Sequence, residues 1–300
     1  MDENGMKSLQ VGDAMKRKRL GRTALEVSEM GFGCSRLGRA LGGVRLSRAL
    51  GGADEPEITA TLLSAWEQGV NFFDTADSYG QGQSERTLGK VFSGKRDQVI
   101  LASKAGYSFS PLRRLASRLP LLKPLAGSRS HQNFAPDYIS KSVEGSLRRL
   151  QTDYLDLFLL HSPPVNVLRH REWVETLENL KQQGKIRYCG VSCLTPSDAL
   201  FCLEVPELDC VQLEINLLNR EETNPLLAQL AERKLGIVAR QPFASGALTQ
   251  PDEKRREALT FVLQQPGIAS VLVGMRHRQH LQDNLALIAQ CSSKTGDGDS

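Results

Sequence analysis

Long hydrophobic runs are missing from this chain of 300 residues. Its apolar stretches, such as Leu157–Leu160, are far shorter than the roughly 20 residues that cross a bilayer. The polar, basic start of the chain has no apolar segment of the kind found in secretory signals. We therefore expect a cytoplasmic protein without a membrane segment, with one folded unit over residues 18–291 between a disordered leader (1–17) and a disordered tail (292–300).

Signatures of metal and nucleic-acid binding are missing as well. The six cysteines form no CxxC pair and have no histidine at metal-ligand spacing, so we expect no metal site and a reducing compartment. The net charge of +4 is too small to indicate a nucleic-acid or membrane surface, although it suits an anionic ligand. These absences leave a small molecule as the expected partner.

What the chain does contain is a regular alternation of apolar strands and helices. Strands that are apolar on both faces form a parallel sheet covered by helices, and eight strand–helix units in about 260 residues are typical of a closed barrel. An open doubly wound sheet is the alternative, but no GxGxxG follows the first strand. We predict an α/β protein with a single (β/α)8 TIM barrel, preceded by a β-hairpin at a Gly-Arg-Thr turn. The predicted barrel strands are Met30–Gly33, Asn71–Asp74, Val99–Lys104, Tyr154–His161, Arg187–Ser192, Val211–Ile215, Gly236–Arg240 and Ala269–Gly274.

Three successive strands of this pattern end in a reactive side chain: Asp74, Lys104 and His161. Tyr79 follows Asp74 in the turn NFFDTADSYG. In such barrels the active site is built at the carboxyl ends of the strands, so these four side chains are expected to converge. Taken alone, the aspartate could equally well cap the next helix. A lone lysine could be a surface residue, and a lone histidine after an apolar strand is more often structural.

The four residues together suit the reduction of a carbonyl group. Burial would lower the pKa of Lys104 unless a carboxylate compensates, and Asp74 on the neighbouring strand can do so. A retained ammonium is expected to lower the pKa of Tyr79 from about 10 and make it a general acid, while His161 holds the carbonyl oxygen. We find no activated nucleophile and no metal ligands, so a hydride cofactor is the natural supplement.

From Lys18 to Gln290 the chain resembles the aldo-keto reductase superfamily. The motifs that carry the resemblance are MGFGCSRLG, GVNFFDTADSYG with SE after it, ILASK, DYLDLFLLHSP, GKIRYCGVS, VQLEINLLN and SVLVGMRHRQHLQDN. The family's catalytic set falls on Asp74, Tyr79, Lys104 and His161. The resemblance implies the barrel fold and a bound NADPH, with NADH possible. The cofactor contacts that it implies are Gly33, Cys34, Ser35, Asp74, Ser192, Gln212, Arg240, Gly274, Met275, Arg276, His280 and Asn284.

Two positions depart from the family pattern. Cys193 replaces the asparagine that commonly follows Ser192, and Arg240 replaces an aromatic residue that stacks on the nicotinamide, although a guanidinium also stacks on rings. Gly274 and His280 stand where other members carry basic residues for the 2′-phosphate of NADPH. These departures bear on cofactor geometry and on the choice between NADPH and NADH.

The leading hypothesis is an NAD(P)H-dependent enzyme that reduces aldehydes or ketones, with Tyr79 as the proton donor. A sugar (aldose) 1-dehydrogenase, which runs the same chemistry backwards, and a cofactor-binding regulatory subunit are the alternatives. Two segments that border the expected pocket, Cys34–Asp54 and Gly106–Asn133, are predicted to be irregular. The second is either a lid or a solvated insertion.

Overall fold

The computed structural model describes residues 15–37, 55–108, 131–275 and 277–293 of the chain. Most of the predicted leader and tail, most of the two predicted irregular segments, and Arg276 lie outside the described residues. The first strand begins at Arg17 and the last helix extends to Ser293, each slightly beyond the predicted ends of the folded unit.

The strands confirm the predicted barrel and the hairpin before it. The strands are β1 (Arg17–Arg19), β2 (Glu26–Ser28), β3 (Met30–Gly33), β4 (Phe72–Asp74), β5 (Ile100–Ala105), β6 (Tyr107–Ser108), β7 (His131–Gln132), β8 (Leu155–His161), β9 (Ile186–Ser192), β10 (Cys210–Glu214), β11 (Gly236–Arg240) and β12 (Ile268–Gly274). Eight of them close into one barrel in which all neighbours are parallel: β3, β4, β5, β8, β9, β10, β11 and β12. Before the barrel, β1 pairs with β2 in an antiparallel hairpin.

Helices cover the outside of the barrel, because their apolar stripes pack on the outward faces of the strands. Short 3-10 turns lie at Cys34–Arg36, Arg96–Gln98 and Ala244–Gly246. Among the described residues, no helix has the length and apolar character needed to cross a membrane. The helices are α1 (Glu55–Glu67), α2 (Gln83–Val91), α3 (Pro136–Leu150), α4 (Val165–His170), α5 (Glu172–Gln182), α6 (Pro196–Cys202), α7 (Arg220–Glu232), α8 (Asp252–Leu263) and α9 (Arg278–Ser293).

Two segments differ from the sequence prediction. The single helix expected over Arg169–Gln183 is divided into α4 and α5 at Arg171, which has a left-handed backbone with φ of 56°. The segment expected to be irregular from Gly106 onward contains the short antiparallel pair β6–β7 at its two ends. Isolated strands of two residues carry too little periodicity to be recognised in a sequence.

Two apolar layers hold the barrel together. The larger layer lies between strands and helices, and the smaller one fills the barrel interior. The β1–β2 hairpin closes the amino end of the interior, since its Leu20, Leu25 and Val27 belong to the same cluster as Phe72 and Leu157. The carboxyl end therefore remains as the place where polar side chains can meet.

Candidate active site

The barrel interior ends, at its carboxyl side, in a group of polar side chains. Side chains alternate between the two faces of a strand, so a residue two positions after an interior residue also points inward. This rule explains how strands with apolar centres present polar groups at one end. The interior residues Phe72, Ala102, Leu159, Cys210 and Val238 are followed at this spacing by Asp74, Lys104, His161, Gln212 and Arg240.

A buried ion pair between Lys104 and Asp74 lies at the centre of this group. Lys104 Nζ donates to both carboxylate oxygens of Asp74, at 2.7 and 2.6 Å, and to the carbonyl of Thr75 at 2.9 Å. Burial lowers the pKa of Lys104, but the charge of Asp74 and its hydrogen bond, together with Tyr79, raise that pKa above its ordinary value. The lysine therefore keeps its positive charge inside the barrel, as the sequence analysis expected of this pair.

Gln212 and Ser192 extend the ion pair across the strand ends. The Gln212 amide donates to Asp74 Oδ1 at 2.8 Å, and the Ser192 hydroxyl donates to Gln212 Oε1 at 3.0 Å. Both side chains are buried. A primary amide carries a second N–H, and a hydroxyl oxygen accepts while it donates. The pair thus has one donor and one acceptor of the kind that a carboxamide ligand requires.

The turn after β4 brings Tyr79 close to the Lys104 ammonium. The Asp77 amide donates to the Lys104 carbonyl at 3.0 Å and the Tyr79 amide to the Ala76 carbonyl at 3.1 Å, which fixes the turn against β5. Lys104 Nζ lies 5.3 Å from the centroid of the Tyr79 ring. The ring of His161 meets that of Tyr79 edge to face, with centroids 5.8 Å apart. The four predicted catalytic residues are thus brought together.

The pKa of Tyr79 is shifted in the direction opposite to the prediction. Burial raises this pKa, the Lys104 ammonium lowers it by less, and the Asp74 carboxylate raises it again, so the net pKa lies above the ordinary value of tyrosine. The expected decrease was wrong because it counted the ammonium and omitted both the burial and the carboxylate that faces it. Tyr79 therefore stays protonated at neutral pH, as a proton donor must.

His161 is neutral at this site. Burial lowers its pKa to about 3, and the positive charges of Lys104 and Arg240 act in the same direction. Its Nδ1 atom is buried and has no hydrogen-bond partner within the part of the chain that the structure describes. A buried N–H without a partner is strongly disfavoured, so we assign the proton to Nε2. The imidazole is then a neutral hydrogen-bond donor that does not compete with Tyr79 as an acid.

The two departures from the family pattern are in contact with each other. Arg240 Nη2 donates to the backbone carbonyl of Cys193 at 3.0 Å, and Nη1 lies 3.5 Å from a carboxylate oxygen of Glu214. The Cys193 thiol is buried, with its Sγ 3.8 Å from that of Cys202. The guanidinium is therefore fixed between the ends of β9 and β10.

The remaining predicted cofactor contacts lie at the ends of β3 and β12 and on α9. Gly33 is paired with Gly274, the buried Cys34 thiol has its pKa raised by burial and by Asp74, and Ser35 is exposed. Met275 is buried. In α9, the side-chain oxygen of Asn284 accepts from Arg255 at 2.7 Å, whereas His280 is exposed beside the ring of His277.

Three contributors escaped the sequence prediction. The Thr75 carbonyl binds Lys104, Glu214 pairs with Arg240, and the Tyr107 ring packs edge to face on His161 with centroids 4.8 Å apart. Glu214 was detectable, because it lies two positions after Gln212 on the same strand. Tyr107 lay in the segment treated as irregular. Within the described residues, no group of three or more histidine, cysteine and acidic side chains could hold a metal ion.

Comparison with known proteins supports this site as that of an oxidoreductase. Residues 30–258 match the model of the aldo/keto reductase family. An uncharacterized oxidoreductase of Bacillus subtilis is 30% identical over 90% of each chain. The L-galactose dehydrogenase of Arabidopsis thaliana is 28% identical over 91% of this chain and 88% of its own length. The NADH-specific methylglyoxal reductase of Escherichia coli is 30% identical over 78% of this chain and 69% of its own.

Solved structures of similar proteins have the same barrel. A putative aldo-keto reductase of Pseudomonas aeruginosa, 30% identical, superposes with a TM-score of 0.76 over 93% of this chain and 98% of its own. An aldo-keto reductase of Bacillus halodurans, in a form described as holo, is 29% identical with a TM-score of 0.73 over 91% of each chain. The similarity thus extends over nearly the whole barrel.

Proposed function

Because the chain belongs to the aldo/keto reductase family, we propose that it is an NAD(P)H-dependent carbonyl reductase that converts an aldehyde or ketone to the alcohol. The observation that carries the proposal is the contact of three groups at the barrel mouth. A protonated tyrosine lies beside a buried ammonium, and a neutral histidine lies against the tyrosine. This arrangement supplies a proton and a hydrogen bond to one oxygen atom.

Each side chain has a distinct role in the proposed reaction. Tyr79 donates its hydroxyl proton to the carbonyl oxygen as negative charge develops there. Lys104 stabilises the phenolate that remains, and Asp74 keeps the lysine charged and in place. His161 donates from Nε2 to the same oxygen and orients the substrate without adding charge.

The residues at the strand ends fit a nicotinamide cofactor. When bound, the reduced nicotinamide supplies the hydride that the protein itself lacks. Gln212 and Ser192 offer the donor and the acceptor that its carboxamide needs, and Arg240 offers a planar guanidinium for a ring. We propose NADPH as the preferred cofactor, as the resemblance to the family implies. NADH is the alternative cofactor, since one relative is named as NADH-specific.

Oxidation of a sugar at its anomeric carbon is the second candidate, and the name of the plant relative favours it. The same residues would serve the reverse reaction, in which Tyr79 accepts the proton as a phenolate. The raised pKa of Tyr79 means that the site is in the protonated form from which carbonyl reduction starts at neutral pH, and we rank reduction first on that ground.

The test follows NADPH oxidation at 340 nm with an activated aromatic aldehyde, for the unaltered protein and for Tyr79→Phe. Loss of the general acid is expected to lower kcat by a factor of about 10² to 10⁴. The cofactor Kd, measured by fluorescence, is expected to stay unchanged, because Phe retains the ring. The same assay with NADH gives the cofactor preference as a ratio of kcat/KM values.

Three outcomes would contradict the proposal. Turnover that survives in Tyr79→Phe would remove the acid role from this residue. Tight cofactor binding without turnover of any aldehyde, but with oxidation of an aldose by NADP⁺, would favour the sugar dehydrogenase. Binding with neither reaction would point to the regulatory subunit.

A further inference from the structure

The β6–β7 hairpin lies over the imidazole of His161. The Tyr107 ring packs on His161 edge to face, at 4.8 Å between centroids and 86° between planes. The Tyr79 ring packs on the same imidazole in the same manner, at 5.8 Å and 83°. The imidazole is therefore in contact with two aromatic rings, one from the catalytic turn and one from the hairpin.

The hairpin is attached to the elements on both sides of it. The side-chain amide of Gln132 donates to the carbonyl of Ser162 at 2.8 Å, and Ser162 is the residue directly after β8. The Tyr138 hydroxyl in α3 donates to the Tyr107 carbonyl at 3.1 Å. The backbone N–H of Asn133 donates to the Gly106 carbonyl at 2.9 Å and so closes the base of the hairpin. These bonds hold Tyr107 at a defined place relative to His161.

Close packing at Gly106 leaves the hairpin little freedom to shift. Gly106 has a φ of +150°, and a Cβ added there would lie 2.5 Å from the Phe134 ring and 3.1 Å from the His161 carbonyl. The strand end that carries His161 and the hairpin that carries Tyr107 are thus packed against each other at the backbone as well as through their rings.

Among the residues that the structure describes, no group hydrogen-bonds to His161 at Nδ1. In many sites a histidine is oriented by a hydrogen bond from its second ring nitrogen. Here the Nδ1 atom is buried, and the described residues offer no such bond to fix the ring. The orientation of the Nε2–H donor is left to the packing of the flanking rings.

We propose that Tyr107 is a positioning residue, whose ring holds His161 in the orientation that donates a hydrogen bond to the substrate carbonyl. This inference rests on the proposed function, because it assigns a task to His161 in that reaction. Tyr107 itself is not required to touch the substrate. Tyr107 affects the reaction by orienting the imidazole of His161, whereas a residue of the substrate pocket would contact the substrate directly.

The kinetic test is a double-mutant cycle with Tyr107→Leu and His161→Ala, and Tyr107→Phe serves as the matched control. The interaction free energy of an aromatic edge-to-face pair corresponds to a factor of about two to twelve in an equilibrium or rate constant. Tyr107→Leu is therefore expected to lower kcat/KM for the aldehyde by about that factor. Tyr107→Phe keeps the ring and is expected to retain activity. In the His161→Ala background, Tyr107→Leu is expected to have no further effect, with the cofactor Kd equal in all variants.

A second readout does not depend on activity. In the unaltered protein the NMR signals of His161 are expected to show a neutral ring at neutral pH and half-protonation only near pH 3. Removal of the Tyr107 ring admits water, so in Tyr107→Leu the titration of His161 is expected to move up towards the ordinary value of about 6.5. Tyr107→Phe is expected to leave the titration unchanged.

The outcomes separate this proposal from the proposed function. An equal loss in both backgrounds would overturn positioning, because it would mean that Tyr107 acts on the substrate or on the fold. An unchanged kcat/KM, or an unchanged His161 titration, in Tyr107→Leu would overturn it as well. If the unaltered protein reduces no carbonyl, the proposed function fails, and the titration of the two variants still decides whether Tyr107 holds the imidazole.

Discussion

The ammonium of Lys104 has no contact with solvent, and the three oxygen atoms that it binds match its three N–H donors. Such a group is stable in the barrel only while Asp74 stays charged beside it, because an unpaired buried charge is far more costly than a paired one. The site is thus held together by the charge pair that the proposed reaction uses.

Removal of one member of this pair should therefore destabilise the protein. Lys104→Met is expected to lower the free energy of unfolding by about 3–5 kcal/mol, because it leaves the Asp74 carboxylate buried and uncompensated. Lys104→Met with Asp74→Asn should cost less than Lys104→Met alone, since an asparagine is neutral and still accepts from Gln212. Urea unfolding of the three proteins measures the difference. A double variant that is less stable than Lys104→Met would contradict this account.

At the level of the element, the barrel strands were predictable because their residues are apolar on both faces and end in polar groups. FFD, ASK and LLH place Asp74, Lys104 and His161 two positions after Phe72, Ala102 and Leu159, and the period of two carries the polar groups into the interior. The convergence of these three side chains therefore follows from strand order and alternation, whereas Tyr79 is placed by the turn after β4.

Other features required the packed structure. The pKa of Tyr79 depends on the sum of burial, ammonium and carboxylate, and a sequence shows only that the charges are close. The ring of Tyr107 reaches His161 because β6 and β7 pair, although their nearest partners, Ser108 and His131, are 23 positions apart in the chain. The helix break at Arg171 depends on a left-handed residue that is not glycine, which no local pattern announces.

One element-level prediction concerns α6, the helix that follows the carboxyl end of β9. Thr195 caps this helix: its hydroxyl accepts from the Asp198 amide, and the Asp198 carboxylate accepts from the Thr195 amide at 2.9 Å. Thr195→Ala is expected to lower the free energy of unfolding by about 1 kcal/mol, because it removes the hydroxyl that accepts from the Asp198 amide. Thr195→Ser keeps the hydroxyl and serves as the control in urea unfolding. Equal losses in both variants would mean that the methyl group, and not the cap, stabilises this end.

At the level of the whole molecule, the two ends of the barrel have different tasks. The amino end is closed by the apolar side chains of the β1–β2 hairpin, and the carboxyl end carries the charged and polar groups of the site. In barrels of this kind, residues at the amino end serve stability and those at the carboxyl end serve catalysis. Stability and activity should therefore respond separately to substitutions at the two ends.

Leu20 tests this separation. It has no exposed surface, and its side-chain carbons lie within 2.7 Å of where a Cβ on Gly236 would be, so it fills the closed end tightly. Leu20→Ala is expected to lower the free energy of unfolding by about 2–5 kcal/mol, because it leaves a cavity between the hairpin and the barrel. Leu194→Ala, at a residue that is 64% exposed, should change it by less than about 0.5 kcal/mol. Under conditions where Leu20→Ala is fully folded, its KM for NADPH and its kcat should match those of the unaltered protein. A loss of kcat in the folded variant would show instead that the packing of the amino end reaches through the interior layer to Lys104 and Asp74.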